Sequence, residues 1–283
     1  MVMLVIREVV EEALLAARSS LRAVVERGEA AYPMGRGAYG DLSYRGDIVS
    51  EEAVFGVLMR RLGDVALISE ERGFLGSPKG TRYWALIDPV DGSANMSRGI
   101  DFYSTGIAVA EGQFFHDIIC SGVIDHSTGR IFLREADFIM PSSKREDRSV
   151  DDSGITAFLH HATIKKHGRA RPELYKLLGK MRYFRVMGSA LLEMCLVYAG
   201  GGDAYICLTQ ELRMHDIAPA LYMSLGGGLL AATYPKNLTE ERLDTRERFG
   251  IIICRSDEVF QEVLEVAGMG WHVLERGEAA PRS

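Results

Sequence analysis

An apolar run, Trp84-Ala85-Leu86-Ile87, passes without a spacer into Asp88-Pro89-Val90-Asp91-Gly92-Ser93. A short apolar run bounded by turn residues reads as a fully buried strand. The two carboxylates at its end are therefore delivered to the edge of a core, where an uncompensated charge is costly. Such an arrangement asks for a cation. Pro89 fixes the turn, and Gly92 removes the side chain where a ligand would approach the backbone. If the segment from Ser93 turns helical, its first N–H groups point at an anion. A hard divalent metal held by carboxylates beside an anion cradle is the chemistry of phosphate transfer.

The 283 residues, 47% of them hydrophobic, suffice for one large or two modest domains with a real core. A net charge of −6 with no basic stripe argues against coating nucleic acid or an anionic membrane. Positive charge for a phosphorylated substrate must then come from metals or placed arginines. No apolar stretch approaches the ~18 residues of a membrane span. Glu8, Glu11 and Glu12 interrupt the N-terminal segment as they would not in a signal peptide, so the expected location is the cytoplasm. Cys120, Cys195, Cys207 and Cys254 form no CxxC pair, and buried thiols are the expectation. Two Asn and three Gln stand against 72 charged residues, a depletion of thermolabile amides that suggests a thermophilic source.

Leu4, Ile6, Val10, Leu14, Leu21 and Val25 recur near a 3.6 period and predict an amphipathic helix ending at Gly28. A second helix is expected from an N-cap at Ser50 through Arg61. Strands are expected at 65–69, 83–87, 103–110, 114–124 and 130–133, giving an N-terminal half (1–140) of helices over an antiparallel sheet. The polar stretch 137–153 reads as a boundary. In the second half (141–283), strands at 155–159, 182–187, 203–207, 229–232 and 250–254 alternate with helices at 172–180, 189–199, 214–226 and 256–267, which implies an α/β layer. His160, His161 and His167 read as a solvated loop or helix edge, and the Met and aromatic residues from Met181 to Met194 as core.

Acidic residues recur at the ends of these elements: Glu70 and Glu71 after Val65-Ala66-Leu67-Ile68, Asp88 and Asp91, Asp216 after His215, and Asp41 in Gly40-Asp41-Leu42-Ser43. Taken singly, each is most simply a helix cap or a surface acid. Taken in order, Ser69-Glu70-Glu71, Asp88-Pro89-Val90-Asp91-Gly92-Ser93 and His215-Asp216-Ile217-Ala218 resemble the signatures of the inositol monophosphatase family. Gly188-Ser189-Ala190-Leu191-Leu192-Glu193 followed by Gly202-Asp203-Ala204-Tyr205 is similar to its second-half segment.

The resemblance implies a layered αβαβα sandwich with the metal site between the halves, and a homodimer. It implies Mg²⁺, two or three ions with Mn²⁺ able to substitute. Glu70, Asp88 and the Val90 carbonyl would hold the first, and Asp88, Asp91 and Asp216 the second. The chain departs from the animal pattern at Ala53, where a functional Asp is missing. Gly40-Asp41-Leu42-Ser43 with Asp47-Ile48-Val49-Ser50-Glu51 is similar to the archaeal dual-activity inositol monophosphatase/fructose-1,6-bisphosphatase branch, and Asp41 is assigned the missing role and, with Glu70, a third ion. The implied reaction is hydrolysis of inositol monophosphate or fructose 1,6-bisphosphate by a metal-activated water that Ser93 and Asp41 orient, with the Gly92 and Ser93 amides on the phosphate. Glu71 would orient Glu70 or a water.

Substrate selection is expected from the second half, through backbone groups at Gly188 and Ser189 and a distal phosphate on Arg185 or Arg213. Two alternatives compete: a 3′-phosphoadenosine 5′-phosphate phosphatase, which needs an adenine pocket, and a non-catalytic regulatory protein on the same scaffold.

Overall fold

The computed structural model describes residues 5–77, 80–135, 138–139, 154–167 and 172–274. In chain order the first half contains α1 (Ile6–Glu26), β1 (Pro33–Arg36), β2 (Leu42–Tyr44), α2 (Arg45–Leu62), β3 (Val65–Ser69), β4 (Gly73–Leu75), β5 (Tyr83–Asp91), α3 (Ser93–Met96), β6 (Ser104–Ala110), β7 (Ile118–Asp125), β8 (Ile131–Glu135) and β9 (Phe138–Ile139). The second contains β10 (Ile155–Leu159), α4 (His161–His167), α5 (Pro172–Lys180), β11 (Met181–Arg185), α6 (Ala190–Tyr198), β12 (Ala204–Leu212), α7 (Met214–Gly226), β13 (Leu230–Tyr234), β14 (Phe249–Cys254), α8 (Asp257–Ala267) and β15 (His272–Leu274).

The first sheet runs β4-β3-β5-β6-β7-β8-β9 and is antiparallel except for the parallel β3–β5 pair. The second, β11-β10-β12-β14-β13-β15, is parallel at β11–β10–β12 and antiparallel beyond. Period-two alternation in β5 explains how the layers stack. Ala85 and Ile87 face a core shared with Val9, Val10, Leu14 and Leu58 of α1 and α2. Trp84 and Leu86 face a core shared with Leu191 and Met194 of α6 and Leu221 of α7. That second core also takes Tyr205, Ile251 and Ile253 from the other sheet, whose far face packs on Leu174, Leu177, Phe260 and Val263 of α5 and α8. The order is helices, sheet, helices, sheet, helices: the αβαβα sandwich. Gly106 lets this happen, because a Cβ there would lie 2.3 Å from Leu191 Cδ1 and 3.3 Å from Pro219 Cγ.

Several expectations shift. Helix α2 begins at Arg45 and not after Ser50, because Asp47 accepts the Tyr44 N–H at 2.7 Å and closes the helix start there. Ser50 is mid-helix and buried. Tyr183 and Phe184 are exposed, since β11 is an edge strand, and Met187 is exposed in the loop that follows it. Most of the expected boundary at 137–153 lies outside the described residues. The four cysteines are free and buried. Among the described residues, no helix is long and apolar enough to cross a membrane.

Candidate active site

Alternation along β5 sends Asp88 to the same face as Trp84 and Leu86, at 1% exposure, with its Oδ1 lacking any hydrogen-bond partner. Burial, followed by the charges of Glu70, Asp91, Asp216 and Asp47, pushes its carboxyl well above the usual carboxylate range. The turn below it is braced. Ser50 Oγ and Thr105 Oγ1 donate to the Pro89 carbonyl at 2.7 and 2.6 Å, and Thr105 pairs with His126 Nε2 at 2.8 Å.

Asp91 is turned to the start of α6. It accepts from Ser189 Oγ at 2.6 Å, Ala190 N at 3.1 Å and Leu191 N at 2.7 Å. Burial still pushes it up to about 7 against those bonds. Asp216 accepts from its own helix's N-cap amide, Arg213 N, at 2.6 Å, as Asp47 does at α2. Three acids of this region are therefore both helix caps and members of one electrostatic cluster. Glu70 follows β3. Burial and then Asp216, Glu71 and Asp47 push it well up, against the pull of Arg213.

Gly92 adopts φ 94°, and a Cβ there would lie 3.1 Å from the Gly188 carbonyl and 3.2 Å from that of Phe102. Asn95 Nδ2 fastens the same junction, donating to Phe102 O at 2.8 Å and Met187 O at 2.7 Å. The helical bonds begin with Asn95 N–H to Gly92 O, so the amides of Ser93 and Ala94 precede them, on residues lining a cleft of about 380 Å³. Asp41, Glu70, Asp91, Arg213 and Asp216 line the same cleft.

Other expected residues fall differently. Asp41 is ion-paired to Arg213 Nη2 at 2.6 Å and its side chain is 60% exposed. The neighbour of Ser93 is Asp47: Ser93 donates to Val90 O at 3.0 Å, and its hydroxyl lowers the proton affinity of the Asp47 carboxyl. Burial nevertheless pushes Asp47 up to about 7. Arg213 is buried among Asp41, Glu70 (3.9 Å) and the Tyr39 carbonyl, so its guanidinium is already engaged. Arg185 is absent from the cleft lining; it lies exposed over the Tyr183 ring. Gly188 lines the cleft, while Ser189 is fully buried on Asp91. Glu71 is held by the Ser43 hydroxyl.

Asp47, Glu193, His160 and His161 join the site although residue order alone does not mark them for it. The misplaced start of α2 hid Asp47. Glu193 stands alone in an apolar helix, a signal that was there to read; it accepts the Met187 N–H at 2.7 Å, and burial pushes it up to about 8. His160 and His161 line the cleft at the end of β10, where ends of parallel strands commonly carry sites.

Among the described residues, no three His, Cys, Asp or Glu side chains converge closely enough to hold an ion as they stand. The donor set nonetheless suits a hard divalent cation: all-oxygen, mutually repelling, and with one buried carboxylate oxygen unpartnered.

The model of the inositol monophosphatase family matches residues 5–233. The chain is 27% identical over 265 residues to a bifunctional NADP phosphatase/NAD kinase of Methanococcus maripaludis, covering 84% of this chain but 44% of that one. It is 25% identical over 236 residues to a fructose-1,6-bisphosphatase/inositol-1-monophosphatase of Methanothermobacter thermautotrophicus, covering 77% and 81%. The fold matches a solved inositol monophosphatase–fructose 1,6-bisphosphatase with a TM-score of 0.72 at 20% identity, over 92% of this chain and 98% of that one.

Proposed function

The chain belongs to the inositol monophosphatase family, and from that premise we propose that it is a divalent-metal-dependent phosphomonoesterase acting on small phosphorylated alcohols. The relatives' names make inositol monophosphate and fructose 1,6-bisphosphate the first substrates to test. The observation that carries the reading is Asp88: a buried carboxyl with an unpartnered oxygen, surrounded by acids that raise its proton affinity. A regulatory protein would have no reason to keep so unfavourable a cluster.

Glu70, Asp88, the Val90 carbonyl, Asp91 and Asp216 would hold Mg²⁺, two ions by the charge of the set, with Asp41 and Glu70 able to serve a third. Bound there, Mg²⁺ supplies a Lewis acid that offsets charge on the ester and lowers the pKa of water. The chain's own groups do the rest. The Ser93 and Ala94 amides bind the phosphate oxygens. Ser93 orients the attacking water, and Asp47, close to neutrality in its proton affinity, takes its proton. Glu193 and Asn95 fix the Gly188 turn against the Gly92 junction, so the phosphate site keeps its shape. The two halves would act as cooperating domains, with Asp216 supplied by the second. The exposed apolar band Tyr183, Phe184, Val186 and Met187 suits a homodimer contact, and we place the protein in the cytoplasm.

The test is inorganic phosphate release from both substrates with Mg²⁺. Activity that vanishes with EDTA supports the reading, and EDTA-resistant release overturns it.

A further inference from the structure

Asp47, Ser50 and Glu51 stand at i, i+3 and i+4 in α2, so one helix face carries all three inward, where each is at most 1% exposed. Each reaches a different part of the site. Asp47 stands beside Ser93, and Ser50 donates to the Pro89 carbonyl. Glu51 reaches the end of β3, and its bonds straddle Glu70 and Glu71. Its Oε1 accepts from the Ser69 hydroxyl on one side and from Arg72 N at 3.2 Å on the other. Its Oε2 lies 2.8 Å from Arg72 Nε. Arg72 is steadied in turn by Glu52, to which its Nη2 donates at 2.7 Å, and by the Phe55 ring, whose centroid lies 5.7 Å from its Cζ.

Strands β3 and β5 run parallel with Ser69 opposite Ile87, so Glu70 and Asp88 follow side by side. Like charges so placed repel, and a side chain on a short turn relieves the repulsion by swinging away. The turn must therefore be held. Arg213 Nη1, 3.9 Å from the Glu70 carboxylate, pulls it toward the second half. Glu51 acts from the first half and through the backbone: with residues 69 and 72 both fixed, the two residues between them have little freedom. A buried carboxylate is a costly way to fill a core position. This one commits both of its oxygens to the flanks of the Glu70 turn.

We propose that Glu51 is a positioning residue for the metal centre: by clamping Ser69 and Arg72 it holds the Glu70 carboxylate beside Asp88, where the two can share a divalent cation. Glu51 touches neither the ion nor the substrate, because both its oxygens are engaged within the first half. The proposal rests on the metal-dependent phosphomonoesterase reading, and adds the residue that sets one of its ligands.

The experiment titrates the full chain with Mg²⁺ alone and follows binding by calorimetry, with urea unfolding of the same samples. Glu51→Leu, which breaks both hydrogen bonds, should weaken Mg²⁺ binding roughly ten- to a hundredfold, the usual effect of removing a group that orients a ligand. Glu51→Gln, which keeps an oxygen for Ser69 and Arg72, should bind close to wild type, and Ser69→Ala, which breaks one bond, should fall between. In a Glu70→Gln background Glu51→Leu should lose no further affinity, because the carboxylate it positions is already gone. Wild-type affinity in Glu51→Leu overturns the proposal. So does a loss of the same size with and without the Glu70 carboxylate, which is what general loosening of the fold would give. Where urea unfolding shows Glu51→Leu to be unfolded, Ser69→Ala decides by the same comparison. A wild type that binds no Mg²⁺ strikes the metal-dependent reading itself, and this proposal with it.

Discussion

Strand β5 joins two regions that share a backbone and a degree of burial but are built on opposed physics. Tyr83 to Ile87 lie between two helix layers, and their side chains are satisfied on both faces. From Asp88 onward the strand is as buried, yet it carries a carboxyl with an unpartnered oxygen among other acids. Burial is favourable in the first region and costly in the second. The lesson is that the apolar half holds the acidic half in place. Leu86 and Trp84 are anchored by α6 and α7, and those same helices present their N-termini to Asp91 and Asp216.

The comparison breaks most sharply at Asp88→Asn. Phosphate release should fall roughly a thousandfold or more, about 4 kcal/mol of transition-state stabilisation. The metal-free variant should unfold at a higher temperature than wild type, since a repelling charge has been removed. A variant that keeps full activity would show that the acidic half is not the catalytic floor. Two residues upstream, Leu86→Ala should do the reverse: a loss of about 3 kcal/mol of stability from a cavity in a layer with little freedom to collapse. Phosphate release per folded molecule should change little. Urea unfolding and titrated activity on the same samples separate the two outcomes.

A smaller effect comes from the metal itself. If the acidic half lacks only a cation, Mg²⁺ at a hundred times its dissociation constant should stabilise the wild type by about 2.7 kcal/mol, and Asp88→Asn by much less. Equal stabilisation of both would place the binding elsewhere.

Much of this was legible from residue order. The period of α1, the buried run of β5, the break into Asp88-Pro-Val-Asp-Gly-Ser and the alternation of strands and helices after residue 154 fix the layers through local rules. What escaped depends on partners far away in the chain. Nothing around Ser189 indicates that its hydroxyl and the next two amides are occupied by Asp91, about a hundred residues earlier. Arg213 looked available for a phosphate because its neighbours in sequence are not the acids it meets in space. Ser50 looked like an N-cap because it precedes two glutamates, yet the helix had already been closed by Asp47, and Ser50 instead braces Pro89. The two histidines read as solvated because the end of β10 does not announce which cleft it opens on.

Asp47 offers the finest test, since it joins both regions: it caps α2, a structural task, and stands beside Ser93, where the proposed mechanism gives it the proton of the attacking water. Its carboxyl is pushed up to about 7, chiefly by burial, whereas in the unfolded chain it titrates near the ordinary value of about 3.9. Between those values the folded protein keeps a proton that the unfolded chain has released. The stability from this group is therefore complete below about pH 4 and is lost as pH rises through 7, at no more than about 1.4 kcal/mol per pH unit. Asp47→Asn keeps an oxygen to accept the Tyr44 N–H but cannot titrate. In metal-free protein it should remove up to about 1 kcal/mol per unit from the fall in stability between pH 5 and 7, measured by urea unfolding, while lowering phosphate release in the loaded enzyme. An unchanged pH slope would mean that Asp47 is already ionised in the fold, with its role reduced to the cap. A changed slope with full activity would assign the proton of the attacking water to another acid, with Asp41 the next to examine.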